Sequence, residues 1–222
     1  MPSSINVQLA HHQFKLLADR GMYWPDQQTL FVSDTHFGKA ATFRRHGIPV
    51  PVGSTEGTLA MIAGMLTQTQ ASRLTILGDM FHARSSLSHD VTRSLESFMD
   101  RFADVGITLV RGNHDARVGD LPSSWPIEIV EPGITIEGVS LGHVPGPVPP
   151  GADLFLCGHI HPAVRLVINR ESFGKHSCFW HSAGCMVLPA IGEFTGTHVV
   201  ELAKGDQAWI VSEGEIHETP VL

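Results

Sequence analysis

The sequence predicts an α/β (α+β) fold, strand–helix alternating in its first half and mostly β in its second, folded as one domain over residues 1–222. Three observations lead there. Between Thr29 and Val110, short apolar runs alternate with helical patterns, an order that favours a parallel sheet with right-handed crossovers. From Glu131 onward, strand-like runs recur at short intervals with no comparable helical pattern between them. At 222 residues and 42% hydrophobic composition, the chain is long enough to bury an α/β core.

Ile5–Leu9, Phe14–Leu16 and Gly21–Trp24 show period-two patterning with few helix formers, as hairpin strands at a sheet edge do. Pro25-Asp26 turns the chain into Thr29–Ser33, whose continuous apolar character suits a buried strand. Phe37 to Pro51 reads as a long connection carrying Lys39, Arg44, Arg45 and His46. Ser54 or Thr55 is placed to cap a helix whose Leu59, Ile62, Ala63 and Leu66 form one apolar face. A second helix is expected from about Ser88 to Ala103, with Val91, Leu95, Phe98 and Phe102 inward. Leu74–Leu77 and Ile107–Val110 are the strands that follow these helical crossovers.

In the second half, strands are expected at Ile134–Ile136, Val139–Leu141, Leu154–Cys157, Val164–Ile168, Met186–Leu188, His198–Leu202 and Ala208–Val211, paired mostly antiparallel. Val144 to Pro150, rich in proline, is a loop.

Fifteen basic and 22 acidic residues give a formal charge of −7 with histidine neutral. That balance argues against non-specific coating of nucleic acid, which needs a broad basic surface. It leaves room for a phosphate-bearing substrate, because bound divalent ions offset carboxylates locally. Three cysteines with no C-x-x-C pair do not make a disulfide framework or a zinc knuckle. Met1 to Leu17 lacks a hydrophobic signal core, and no apolar run approaches the roughly 18 residues that span a bilayer. A cytoplasmic protein without membrane association is the expectation.

Five strand ends carry the chemistry: Ser33-Asp34-Thr35-His36, Gly78-Asp79, Gly112-Asn113-His114-Asp115, Gly142-His143 and Gly158-His159-Ile160-His161. Alternate residues of a strand share a face, so Asp34 and His36 are spaced to grip one ion. His159 and His161 have the same spacing, but their short loop equally allows them to face two adjacent ions. Carboxylate, imidazole and amide oxygen suit Mn, Fe or Zn better than Ca or Mg. Ligands gathered at carboxyl ends of strands agree with where open α/β sheets bind.

The series D-x-H, G-D, G-N-H-D, G-H and G-H-x-H, spanning residues 34 to 161, resembles the calcineurin-like metallophosphoesterase superfamily. The resemblance implies a four-layer metallophosphoesterase fold, a two-sheet β-sandwich flanked by helices. It implies one metal held by Asp34, His36, His161 and a bridging Asp79, and a second held by Asp79, Asn113, His143 and His159. Two ions about 3.5–4 Å apart would present a bridging hydroxide for in-line attack on phosphorus. His114 is then the donor to the leaving oxygen or to the developing phosphorane charge.

His82 stands where phosphatase members of the superfamily carry an Asp that orients the catalytic histidine. The Gly-Asp-Met-Phe-His form is similar to that of the double-strand-break repair nucleases, so His82 joins His114 as a catalytic candidate. The run from Asp34 to Arg45, Gly47-Ile48-Pro49-Val50-Pro51, Cys178-Phe179-Trp180, and the run from Leu188 to Gly196 resemble the bacterial PdeM family of ligase-associated DNA damage response endonucleases. That resemblance implies a DNA phosphodiesterase with Mn as its working ion, and a DNA ligase, an exonuclease and a helicase as repair partners.

Lys39, Arg44 and Arg45 are candidates to clamp substrate phosphates, with Arg84 and Arg117 behind them. Phe37, Phe43 and Phe81 suit core packing more than base stacking, and Cys178, His181 and Cys185 form a conceivable third metal set. Two other functions stay open. One is hydrolysis of cyclic nucleotides or other small phosphoesters, which the acidic net charge favours. The other is a non-catalytic metal-bearing scaffold, which would have no use for His114.

Overall fold

The computed structural model describes residues 3–45, 47–50, 53–168 and 171–219, so His46 lies outside the described residues. The first sheet is built from β1 (Ser4–Leu9), β2 (His12–Leu17), β3 (Met22–Trp24), β4 (Thr29–Val32), β5 (Arg73–Leu77), β6 (Gly106–Val110) and β7 (Ile127–Val130), in that spatial order. The first four pair antiparallel as a meander, and β4 to β7 run parallel. The crossovers contain α1 (Lys39–Arg45), α2 (Ser54–Thr69), α3 (His89–Arg101) and the single turn α4 (Asp115–Val118).

The second sheet comprises β8 (Ile134–Ile136), β9 (Val139–Leu141), β10 (Leu154–Cys157), β11 (Pro162–Ile168), β12 (Glu171–Ser182), β13 (Cys185–Val187), β14 (His198–Val199), β15 (Gln207–Ser212) and β16 (Glu215–Glu218). Its main path is β14-β11-β12-β13-β10-β9-β8, with β15 and β16 added through β12. Among the described residues the pairing is mostly antiparallel, as expected, at five of its eight interfaces, while β9 with β10, β10 with β13, and β11 with β14 are parallel.

Strand periodicity sorts the core. On one face of the first sheet, Leu30, Val32, Leu74, Ile76, Ile107 and Leu109 pack against Leu59, Ile62 and Leu66 of α2 and Leu95, Phe98 and Met99 of α3. On the other, Phe14, Leu16, Trp24, Phe31, Leu77 and Val110 meet Leu141, Leu156, Phe179 and Leu188 of the second sheet. The central strands are therefore buried on both faces, which is why they read as continuous apolar runs. Among the described residues every α-helix lies between Lys39 and Val118, so the helical cover is one-sided. Val200 and the partly buried Leu202 cover Val164, Cys178 and Ile210 on the far face of the second sheet.

Several local expectations are corrected. The connection after His36 contains α1, whose Lys, Ala and Arg residues are strong helix formers in a run too short to show a period. Neither Ser54 nor Thr55 caps α2. Gly53 takes that position at φ +94°, and the buried Thr55 hydroxyl accepts the Gly38 N–H at 3.3 Å instead. Strand β12 shows no apolar period because Lys175, His176 and Ser177 interrupt it, and the alternation of β7 and β16 covers only four residues each. The expected His198–Leu202 strand is only β14.

Candidate metal centre

Because β4, β5 and β6 are parallel, the loops bearing Asp34, Asp79 and Asn113 leave the same edge of the first sheet. Beyond that edge the first two loops stay paired. Asp34 N–H donates to Gly78 O (3.2 Å), His36 N–H to Asp79 O (3.0 Å) and Phe37 N–H to Met80 O (2.8 Å). The parallel pairing of β9 with β10 does the same for His143 and His159, and Gly158 N–H donates to His143 O at 3.0 Å. The edges of the two sheets are then tied together by Ile191 N–H to Ser33 O and Gly192 N–H to Asp34 O, both 3.1 Å.

Two glycines permit this junction. At Gly78, with φ +82°, a Cβ would fall within the His143 ring, and at Gly158 it would overlap the Asp34 carboxylate and the Ser33 side chain. Any side chain at either position would force the sheets apart.

Two groups of ligand atoms result, each group lying within 4.8 Å: Asp34, His36 and His161 in one, Asp79, His143 and His159 in the other. In the first, His161 Nε2 lies 3.3 Å from Asp34 Oδ1 and 3.4 Å from His36 Nε2, and Asp34 Oδ1 and His36 Nε2 are 4.0 Å apart. In the second, His143 Nε2 lies 3.0 Å from Asn113 Oδ1, 3.2 Å from His159 Nδ1 and 3.3 Å from Asp79 Oδ1. Ligands about 2.0–2.2 Å from a common ion sit about 3.0–3.5 Å from one another, which matches most of these separations.

The hydrogen-bond chemistry points the same way. His143 Nδ1 donates to Leu77 O (3.0 Å) and His161 Nδ1 to Gly196 O (2.9 Å), so in the neutral rings both Nε2 atoms are bare lone pairs. His161 Nε2 against Asp34 Oδ1, and His143 Nε2 against Asp79 Oδ1 and Asn113 Oδ1, are then acceptor facing acceptor. Asp34 Oδ1 and His36 Nδ1 are buried without a hydrogen-bond partner. A cation satisfies such an arrangement, so the residues fit two metal ions.

Asp34 and His36 lie beyond the end of β4, so the strand pleat does not bring them together. The backbone does it: Asp34 (φ 52°), His36 (43°), Asp79 (51°), His159 (75°) and His161 (51°) all adopt the left-handed region. For residues other than glycine this costs about 1–2 kcal/mol apiece. Such strain is characteristic of functional loops held by a rigid surround. The same turns send His161 to the Asp34 cluster and His159 to the Asp79 cluster, deciding between the two arrangements that the sequence allows.

Burial pushes the His36 imidazole down to about 3, against the pull of Asp34. Burial opposes ionisation of Asp79, yet the hydrogen bond and charge of His143, with the His114 N–H, hold its carboxyl at about 2. Burial also opposes protonation of His143 and His161, but hydrogen bonds to Asp79 and Asp34 raise both above the usual imidazole value.

His114 N–H donates to Asp79 Oδ1 (2.8 Å), and its Nδ1 donates to the His82 carbonyl (2.7 Å). That leaves Nε2 toward the centre, 3.9 Å from Asp79 Oδ2. The His82 ring stacks on His114 at 5.0 Å and lies 5.7 Å from His36, and its buried Nδ1 has no hydrogen-bond partner. Asp115 received no role from the sequence. It is buried, and its carboxylate accepts Phe81 N–H (3.2 Å) and Gly112 N–H (2.9 Å), clamping the Asp79 loop to the Asn113 loop. The signal was available: it ends the G-N-H-D motif.

Among the basic residues, Lys39 comes close to the centre. Burial lowers its amine, while Asp34 and Asp79 hold it up. Arg44 is exposed and lines a separate cavity of about 550 Å³ between α1 and the starts of α2 and α3. Arg45 ends α1, and its side chain lies outside the description. Phe37 and Phe81 are buried in the core. Cys178 packs in a different apolar cluster from Cys185, and no metal-type cluster among the described residues includes either.

The calcineurin-like phosphoesterase family model matches residues 28–138. Among solved structures, the chain is similar to the Pseudomonas putida nuclease MPE, with 31% identity, a TM-score of 0.83, and coverage of 94% of this chain and 97% of that one. It also aligns with Yfce, a phosphoesterase from E. coli, at 17% identity and a TM-score of 0.43, over 83% of this chain and 88% of that one. No curated protein matches by sequence. Two ligand clusters at the junction of two sheets, the family match over half the chain, and a nuclease of the same fold at 31% identity together make this chain a metal-dependent phosphoesterase belonging to the calcineurin-like phosphoesterase family.

Proposed function

We propose that the chain hydrolyses phosphodiester bonds of DNA, as an endonuclease or end-processing nuclease, with two Mn ions. Asp34, His36 and His161 would hold the first ion, Asn113, His143 and His159 the second, with Asp79 shared between them. The observation that carries the reading is the pair of ligand clusters, each with acceptors facing one another, with His114 Nε2 turned toward them. The similarity to a nuclease over nearly the whole chain supports DNA as the substrate. Mixed imidazole, carboxylate and amide ligands support Mn, with Fe or Zn as alternatives to it. A cytoplasmic setting accords with three free cysteines, two of which, Cys157 and Cys185, bring their sulfurs to 3.5 Å without a bond. Repair partners (a DNA ligase, an exonuclease and a helicase) rest on the family resemblance alone.

When bound, the two ions supply the Lewis acidity that activates water and offsets phosphate charge. The protein residues do the rest. The His82 carbonyl fixes His114 with its proton on Nδ1 and turns Nε2 toward the clusters, where it is placed to pass a proton to the leaving oxygen. Lys39 supplies a half-buried positive charge beside Asp34 and Asp79 for a phosphate oxygen.

The net charge of −7 favours a second reading, hydrolysis of a small diester such as a cyclic nucleotide. Turnover of single-stranded DNA, duplex DNA, a cyclic nucleotide and a phosphomonoester under Mn separates the two. The expected result is cleavage of DNA well above the others. Cyclic nucleotide hydrolysis without DNA cleavage would replace the first reading with the second. Tight metal binding with no turnover of any would leave a scaffold.

A further inference from the structure

Three large apolar side chains stand exposed among the described residues: Ile48, Val144 and Phe194. Phe194 is the aromatic one, and it sits in a turn fastened to the metal centre at both ends. Gly192 N–H donates to Asp34 O (3.1 Å), and Gly196 O accepts from His161 Nδ1 (2.9 Å). The Thr195 hydroxyl closes the turn by donating to Gly192 O at 2.7 Å. Within it Phe194 has φ +57°, a conformation a bulky residue adopts only under constraint. An aromatic ring that serves packing belongs in the core. This one is 41% exposed on a strained, anchored support.

Beside it lies a cavity of about 360 Å³ lined by Arg20, Ser177, Glu193, Phe194, Thr195 and Thr197 among others. Its floor is fixed: Arg20, itself at φ +69°, donates from its guanidinium to Ala190 O at 3.1 Å, next to the residue pair joining the two sheets. The walls combine an aromatic face with hydroxyls and a carboxylate, groups that stack on a planar heterocycle and hydrogen-bond its edge.

We infer that this cavity is a nucleobase subsite beside the scissile phosphodiester, with Phe194 as its stacking platform. The inference rests on the nuclease reading above and deepens it. A base paired within a duplex has both faces covered by its neighbours. The substrate that fits is therefore single-stranded or locally unpaired DNA. Stacking on an aromatic ring tolerates any base, so the subsite selects strandedness rather than sequence.

The test uses the full chain with Mn and compares kcat/KM for a single-stranded oligonucleotide with that for an abasic strand of the same length. Measured on one preparation, the ratio of the two is independent of how much protein is folded. Wild type should prefer the strand with bases, and Phe194→Ala should lower that preference about tenfold, through KM. Phe194→Leu, which keeps apolar bulk without a π face, should fall with it, whereas Phe194→Trp should retain the preference. An unchanged ratio in the Ala and Leu variants, with DNA still cleaved, overturns this inference alone. Wild type that hydrolyses methyl 4-nitrophenyl phosphate but no oligonucleotide overturns the nuclease reading and this inference with it.

Discussion

His114 Nδ1 lies 2.7 Å from the carbonyl oxygen of His82, while the two imidazole rings stack at 5.0 Å with 25° between their planes. The bond that orients His114 thus comes from the backbone of position 82, not from its side chain. A carbonyl fixes the tautomer as a carboxylate would, without adding a negative charge beside the clusters.

This geometry predicts unequal effects for the two histidines. His114→Ala should keep both metals and lose turnover by about 10²–10⁴-fold, the usual worth of a positioned proton donor. His82→Ala retains the carbonyl and removes only the stacked ring, so it should cost no more than about tenfold. Steady-state kinetics with metal analysis checks both. A His82→Ala loss as large as that of His114→Ala would assign the orientation of His114 to the imidazole.

Asp79 is the candidate bridge, and its Oδ1 also accepts the His114 N–H at 2.8 Å. Asp79→Ala should therefore lose both ions and disorder His114. Mass-spectrometric metal counting after dialysis is the measurement, and two retained ions would remove Asp79 from the bridging position.

Asp115 is a structural clamp whose loss should be felt in stability first. Asp115→Ala leaves the Phe81 and Gly112 N–H groups without their acceptor and should destabilise the fold by about 2–4 kcal/mol in urea unfolding. Asp115→Asn keeps one acceptor oxygen and should cost less. Equal stability of all three proteins would mean that other contacts hold the two loops.

The site histidines predict how metal-induced stabilisation depends on pH. In the metal-free chain His143 and His161 are raised above the ordinary value of 6.5 by Asp79 and Asp34. Their protonated pairs stabilise the metal-free fold fully below 6.5, and that contribution is lost as pH rises through the raised values. Metal binding requires both rings neutral, so it strengthens over the same interval. The two are one proton–metal competition, and the rise in Tm produced by Mn should grow as pH rises above 6.5 through the raised values. Thermal unfolding with Mn and with chelator measures it. A shift independent of pH would mean that these imidazoles do not bind the ion.

Much of the first half was legible because it obeys simple periodicities. The runs at β4, β5 and β6 are apolar because helices cover one face and the second sheet the other, and α2 and α3 show their inward residues at helical spacing. Legibility failed where pairing partners, not local pattern, decide the state. Strand β12 has polar residues in its middle yet pairs with β11, β13 and β15 in turn.

The sequence by itself singled out the candidate metal ligands. Asp34, His36, Asp79, Asn113, His143, His159 and His161 each follow or lie within a short loop after a strand, and loops after buried strands are where polar side chains can converge. Only the tertiary structure decided how they are shared out. The division of His159 and His161 between two clusters follows from left-handed turns and from a sheet junction that Gly78 and Gly158 leave open. Only it assigned the orientation of His114 to a carbonyl, gave Asp115 a task, and set Phe194 outside the core. Apart from Asp115, which its place at the end of the G-N-H-D motif marks, those outcomes depend on contacts between residues far apart in the chain.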